Sequence, residues 1–178
     1  MGHRQLAVIT GPLHLANAVE RLQGFKRALA EAKVSIEPDY IQEAGFERNS
    51  GYQAAKRLLR MLPRPTAIFA CNDLMALGVL LAARELGLHC PEDLSIVGFD
   101  NLDFAEFTAP ALTTVNQPGY QLGTTAARLL LGRIAGSAQP RQQVVLPTEL
   151  KIRHSTAPPA GAHPPSKAKA RAEAIEVR

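Results

Sequence analysis

The stretch TAIFACNDLMALGVLLAARELGL, Thr66 to Leu88, decides the fold. Thr66–Ala70 is a short apolar run of the kind that fills a buried strand. Asn72 and Asp73 follow at once, and their side-chain oxygens suit the orphan amide hydrogens of a helix's first turn. Leu74 to Leu86 then reads as a helix. Gly87 falls at the C′ position, where a left-handed backbone is easiest without a Cβ. Pro91 and two acids precede a second apolar run, Leu94–Phe99. Strand, helix and strand in this succession make a βαβ unit with parallel strands.

The same alternation extends in both directions. Upstream, Gln5–Thr10 reads as a strand broken by Gly11-Pro12. Asn17 and Glu20 form a capping-box pattern ahead of a helix whose stripe is Val19, Leu22, Phe25 and Leu29. A weaker strand, Asp39–Glu43, follows Pro38 and ends at Gly45. Asn49 or Ser50 then caps a helix bearing Tyr52, Ala55, Leu58, Leu59 and Leu62, stopped by Pro63 and Pro65. Downstream, Leu112–Asn116 is a fifth extended run, and Tyr120–Ala135 is a fourth helix closed by Gly136. Gln143–Leu146 and Glu149–Arg153 read as two last extended pieces hinged at Pro147. The expected class is α/β: a parallel sheet flanked by helices. The helix after Asn72 is apolar on most sides through Met75, Leu77, Val79, Leu80 and Leu81, so both its faces are expected to be covered, one by a partner chain.

Composition narrows the function. The chain has 178 residues, 46% hydrophobic and 5% aromatic, enough for one real core built from Leu, Ile, Val and Ala. The net charge is +4, but four of the 20 basic residues lie after Thr156, so the body is nearly balanced. That is a solubility surplus and not a nucleic-acid surface. Beyond Thr156 the composition turns to Pro and Ala, and residues 157–178 read as a disordered tail without the aromatics of a nucleic-acid arm. Cys71 and Cys90 have no metal-ligand spacing and read as buried thiols in a reducing compartment. No signal-peptide pattern and no long apolar run is seen, so the expected location is cytoplasmic, with no membrane partner.

In an open parallel sheet, ligands bind beyond the carboxyl ends of the strands. The residues placed there are Asn17 and Arg21 after the first strand, Phe46 after the second, Asn72 and Asp73 after the third, and Asp100 and Asn101 after the fourth. A carboxylate accepts two hydroxyl hydrogen bonds, an amide donates and accepts, and a guanidinium donates in a fork. Phe46 offers a flat apolar face. This set suits a small polyhydroxylated or heterocyclic ligand. Taken singly, Asn17, Asn72 and Asp73 are equally at home as helix caps, and Asp100 as a turn residue; convergence on one edge is what favours a site. No nucleophile motif, phosphate-binding loop, metal set or cofactor fingerprint occurs, so neither an enzyme nor a cofactor is expected.

Several stretches carry a family resemblance. RQLAVITGPLHLANAVERLQGFKRAL, AIFACNDLMALGVLLAARELGL, PEDLSIVGFDN, PALTTVNQPGYQLG and VVLPTELKIRHST resemble the effector-binding core of the lac-repressor/gal-repressor (LacI/GalR) family of transcription regulators, over residues 2–156. The resemblance implies a periplasmic-binding-protein-like fold (type I) whose two α/β lobes close on a small effector, usually a sugar or purine. It implies effector contacts from Arg21, Asn72 and Asp100, with Asn17 at a variable contact position and Phe46 where an aromatic packs on the ligand. Asn101 replaces a second Asp common in the family. The resemblance also implies a homodimer, partly through the helix after Asn72 and the segment following Asp100-Asn101, with Leu77 and Leu81 as interface residues. Operator DNA would be read by an N-terminal helix-turn-helix absent from this sequence. The expectation is therefore a fragment: an incomplete core over residues 1–156, made of the C-terminal lobe plus returning pieces of the N-terminal one. A solute-binding protein of a sugar transport system shares the fold and is the alternative. In the fragment, the Tyr120–Ala135 helix is expected to expose Leu122, Ala126, Leu129 and Leu130, or else to dock against the remaining lobe.

Overall fold

The computed structural model describes residues 1–136 and 142–161. Six strands form one sheet in the order β2-β1-β3-β4-β5-β6. They are β1 (Leu6–Thr10), β2 (Ile41–Glu43), β3 (Ala67–Ala70), β4 (Ser95–Asp100), β5 (Thr113–Asn116) and β6 (Glu149–Lys151). The first five are parallel, and β6 closes one edge antiparallel to β5. The helices are α1 (Ala16–Glu31), α2 (Arg48–Leu58), α3 (Asp73–Glu85) and α4 (Gly119–Ile134). The expected α/β class and parallel sheet are both present.

The strand order has a consequence for function. From β1 the chain steps outward to β2, then crosses back to β3 and proceeds the other way. The direction of winding therefore reverses between β1 and β3, and such a reversal opens a crevice at the carboxyl ends of those two strands. Both strands are covered: Ala7, Val8 and Ile9 are buried, as are Ile68 and Ala70. Apolar residues dominate these central strands because both faces lie in the core.

Two glycines set the helix packing. A Cβ on Gly51 would lie 2.6 Å from the Met75 Cα, and one on Gly78 would lie 2.3 Å from the Arg48 carbonyl oxygen. Helices α2 and α3 therefore touch backbone to backbone at these two positions. The long-range ties at the opposite edge run through Ser155, which is fully buried. Its hydroxyl donates to the Ile96 carbonyl at 2.6 Å and accepts from the Thr113 amide at 2.8 Å. The Ala157 amide in turn donates to Ser95 Oγ at 3.0 Å, so the ordered contacts reach the first residue of the expected tail. The rest of that tail beyond Gly161 lies outside the described residues.

Several local expectations need correction. Helix α1 starts at Ala16 with Leu15 at the cap position, so Asn17 lies in the first turn and does not cap, and Glu20 completes no capping box. The reason is local: the Leu15 amide closes a turn onto the Pro12 carbonyl and launches the helix early. Helix α2 is capped at Glu47, not at Asn49 or Ser50; Ser50 supplies the return half, its hydroxyl accepting from the Glu47 amide at 3.3 Å. That helix ends at Leu58, short of Pro63, which leaves Leu62 on the surface at 94% exposure. Asp39 and Tyr40 form a 3-10 turn, not the start of a strand, and residues 142–148 form no strand.

Helix α3 is covered on one side only. Met75, Ala76, Val79, Ala82 and Ala83 are buried, whereas Leu74 and Leu81 are exposed. Helix α4 buries nothing, and Leu122, Leu130, Leu131 and Ile134 are all exposed. Exposure of Leu122, Ala126 and Leu130 matches the expectation; Leu129 is half-buried. Among the described residues no helix is long and apolar enough to cross a membrane. Cys71 and Cys90 are free thiols, and burial pushes each up to about 12, which leaves them protonated and unreactive at neutral pH.

Candidate functional site

The crevice at the reversal point gathers the expected residues. Asn17, Arg21, Phe46, Asn72 and Asp100 line one cleft of about 250 Å³, joined by Gln117. Five places supply them: α1 gives Asn17 and Arg21, the loop after β2 gives Phe46, the cap of α3 gives Asn72, the end of β4 gives Asp100, and the segment between β5 and α4 gives Gln117.

Arg21 is the hub. Its guanidinium donates to the Cys71 carbonyl and to Gln117 Oε1 at 3.3 Å. One nitrogen lies 3.5 Å from Asp100 Oδ1. The guanidinium carbon sits over the Phe99 ring, 3.8 Å from its centroid, and 5.9 Å from that of Phe46. Contacts on both the edge and the face of the guanidinium fix its orientation in advance of any ligand.

Phe46 reaches this position through an unusual backbone. Its φ is 61°, and its ring lies over Gly11, where a Cβ would approach the ring Cζ to 2.0 Å. Gly11 is therefore required at the end of β1 for the ring to fit. Asn72 holds the loop from the other side, its amide donating to the Phe46 carbonyl at 2.8 Å. Asn72 Oδ1 also accepts from the Met75 amide at 2.8 Å. The capping reading of Asn72 and its place in the cleft are therefore both right. Asn17 Oδ1 accepts from the neighbouring Ala18 amide, and its amide nitrogen has no partner among the described residues.

Asp100 ends β4 at φ 111° and Asn101 follows at φ 58°. Two successive non-glycine residues in the left-handed half of backbone space are costly and persist only where the surroundings hold them. Asn101 is held by Asn116 Oδ1 at 3.0 Å and by Arg153 at 2.8 Å. Burial raises the Asp100 carboxyl above the ordinary range; Arg21 opposes the rise and Asp73 adds to it. Glycine should relieve the strain that alanine cannot, so Asp100→Gly is expected to be about 1 kcal/mol more stable than Asp100→Ala in urea denaturation.

Asp73 does not enter the cleft. It is fully buried beneath it, with Oδ1 accepting from Thr114 Oγ1 at 2.6 Å and Oδ2 from the Leu102 amide at 2.8 Å. Burial raises its carboxyl, against the pull of those hydrogen bonds. A Cβ on Gly98 would lie 2.2 Å from Asp73 Oδ1, so the glycine of GFDN makes room for this carboxylate. Sequence reasoning missed Gln117; the available signal was its place just after the fifth strand.

A larger cleft of about 530 Å³ opens at the opposite end of the sheet, beside Leu6, Ile36, Tyr40 and Met61. No buried ion pair and no set of converging amides lines it, so size does not make it the better candidate. Among the described residues no cluster of His, Cys, Asp and Glu could hold a metal ion.

Residues 1–156 match the family described as periplasmic binding protein-like domain. The chain belongs to the periplasmic binding protein-like domain family. Within that family its similarities are to regulators. The HTH-type transcriptional repressor PurR of Proteus mirabilis (strain HI4320) is 44% identical over 156 residues, covering 88% of this chain and 46% of the relative. The transcriptional regulator CelR in complex with cellobiose superposes with a TM-score of 0.83 at 40% identity, over 86% of this chain and 47% of that one. The lac repressor dimer bound to operator and the anti-inducer ONPF superposes with a TM-score of 0.80 at 34% identity, over 87% of this chain and 53% of that one. The chain spans about half the length of the curated relatives it matches.

Proposed function

We propose that this chain is the ligand-sensing portion of a LacI-family transcription regulator, and that the Arg21 cleft binds the effector. The observation that carries the reading is the clamped Arg21–Asp100 pair at the winding reversal, ringed by Asn17, Asn72, Gln117 and Phe46. Such a cleft presents a fork of donors, a carboxylate acceptor, amides of both kinds and one aromatic face. It carries no positioned nucleophile, so it binds and does not turn over. The relatives it resembles are named as transcriptional repressors and regulators, which favours sensing over transport. On this reading the protein works in the cytoplasm, and operator DNA is contacted by a domain outside this sequence. Effector binding would bias one arrangement of the regulator over another through differential affinity. The test is direct: a panel of sugars, nucleobases and nucleosides is titrated against the chain by calorimetry and NMR. Binding of at least one member, dependent on Arg21, supports the reading; binding by none of them to this cleft rejects it.

The same reading assigns the uncovered side of α3 to a second copy of the chain. Leu74, Leu77 and Leu81 share one face at helical spacing, with Leu74 and Leu81 exposed. Leu77→Glu combined with Leu81→Glu is expected to shift sedimentation from dimer toward monomer while leaving the thermal midpoint of the monomer close to that of the parent. A monomeric parent, or a dimer indifferent to the two changes, would place the interface elsewhere.

A further inference from the structure

We propose a second subsite beyond Asp100, built for an uncharged, hydroxyl-bearing unit linked to the one that rests over Arg21; it depends on the effector-binding reading above. The part of the first cleft that this chain supplies measures about 250 Å³. Next to it lies a depression of about 400 Å³ lined by Asp100, Asn101, Leu102, Asp103, Gln117 and Gly119. The two share Asp100 and Gln117, so they are neighbouring rooms with a common wall.

The wall owes its shape to the two strained residues. With φ at 111° and 58°, Asp100 and Asn101 turn the chain sharply after β4, leaving Asp100 facing both spaces and carrying Leu102 and Asp103 along the second. The Leu102 amide is anchored to the buried Asp73, so the turn is fixed from below. This is costly backbone geometry held in place by a buried carboxylate.

The chemistry of the second space is one-sided. Asp103 is exposed and has no hydrogen-bond or ion-pair partner among the described residues. Gln117 Oε1 is taken by Arg21, which leaves its amide nitrogen as the group to donate. Leu102, 38% exposed, offers an apolar surface. No cation lines this depression, and Arg153, which reaches Asn101, is committed to the Leu112 carbonyl and to Glu106. Two carboxylates and no free cation repel a phosphate or carboxylate and accept hydroxyl hydrogen bonds. A pyranose or ribose ring, with hydroxyls at its edge and C–H groups on its face, has the matching character.

The experiment compares single units with linked pairs on the 178-residue chain, by titration and ligand-observed saturation-transfer NMR. Glucose is set against cellobiose, adenine against adenosine, and glucose against glucose 6-phosphate; the first two pairs distinguish a second sugar on a sugar from a sugar on a base. At least one linked member should bind about tenfold tighter than its single unit, the effect of one or two hydrogen bonds to a charged group. Asp103→Ala, at an exposed position that leaves folding intact by thermal denaturation, should erase most of that gain. The phosphate should not tighten binding. No gain in either pair, a gain untouched by Asp103→Ala, or tighter binding of glucose 6-phosphate would each overturn the subsite. If single units bind in an Arg21-dependent way without any gain, the subsite falls and the effector site stands. If no probe binds at all, both fall.

Discussion

Arg21→Ala is expected to weaken effector binding by about a hundredfold or more, corresponding to ~3 kcal/mol for loss of charge-assisted hydrogen bonds in a partly buried site. The side chain is only 14% exposed and holds three groups at once: the Cys71 carbonyl, Gln117 and Asp100. Its removal takes away the ligand's fork of donors and leaves the Asp100 carboxylate without its cation. Because burial already raises that carboxyl and Arg21 opposes the rise, the substitution should raise it further. Binding should then weaken more in the variant as pH falls, as more Asp100 becomes protonated and ceases to be a charged acceptor. Arg21→Lys should recover little, because an ammonium has no planar fork to sit over Phe99 while bonding both Cys71 and Gln117. Calorimetric titration across pH checks all three statements. Unchanged affinity in Arg21→Ala would remove the hub from the account.

Asp73→Ala is expected to cost about 3–4 kcal/mol of stability, measured by urea denaturation, because it strands buried donors on Thr114 and Leu102 and opens a cavity. Asp73→Asn should be far milder. The hydroxyl of Thr114 can reverse and accept from the new amide, while the amide oxygen still accepts from Leu102. The pH dependence separates the two. The folded-state carboxyl of Asp73 is raised, so its favourable contribution is present below the unfolded carboxylate range and is lost as pH rises through the folded value. Wild type should therefore lose ground to Asp73→Asn as pH rises from the carboxylate range toward neutrality. An advantage for wild type that grows with pH would contradict this assignment.

Strand ends and helix stops were legible because they rest on local chemistry. Asn72 caps and Gly87 terminates as their residue types require, and the helix after them was placed within a residue. The candidate cleft was legible because parallel strands deliver their polar exits to one edge, so Arg21, Phe46, Asn72 and Asp100 could be grouped before any contact was known. What failed was decided by contacts distant in sequence or by backbone turns. Asn17 resembled a cap, but the turn from Pro12 to Leu15 had already begun the helix. Asp73 resembled half of a capping pair, and only the approach of Thr114 and Gly98 makes it a buried anchor. Gln117 drew no reading from the sequence, because only the reach of Arg21 from α1 brings it into the cleft. Ser155 gave no local signal, since its four bonds join segments far apart in the chain.

Chemical-shift mapping with a bound effector tests the central claim most directly. The 178-residue chain is titrated with the same panel of sugars, nucleobases and nucleosides, and backbone amide shifts are followed residue by residue. The account predicts changes at Gly11, Phe46, Asn72, Asp100 to Leu102 and Gln117, saturating with ligand and absent in Arg21→Ala. Saturating shifts confined to the opposite end of the sheet, around Ser35 to Tyr40 and Met61, would contradict it.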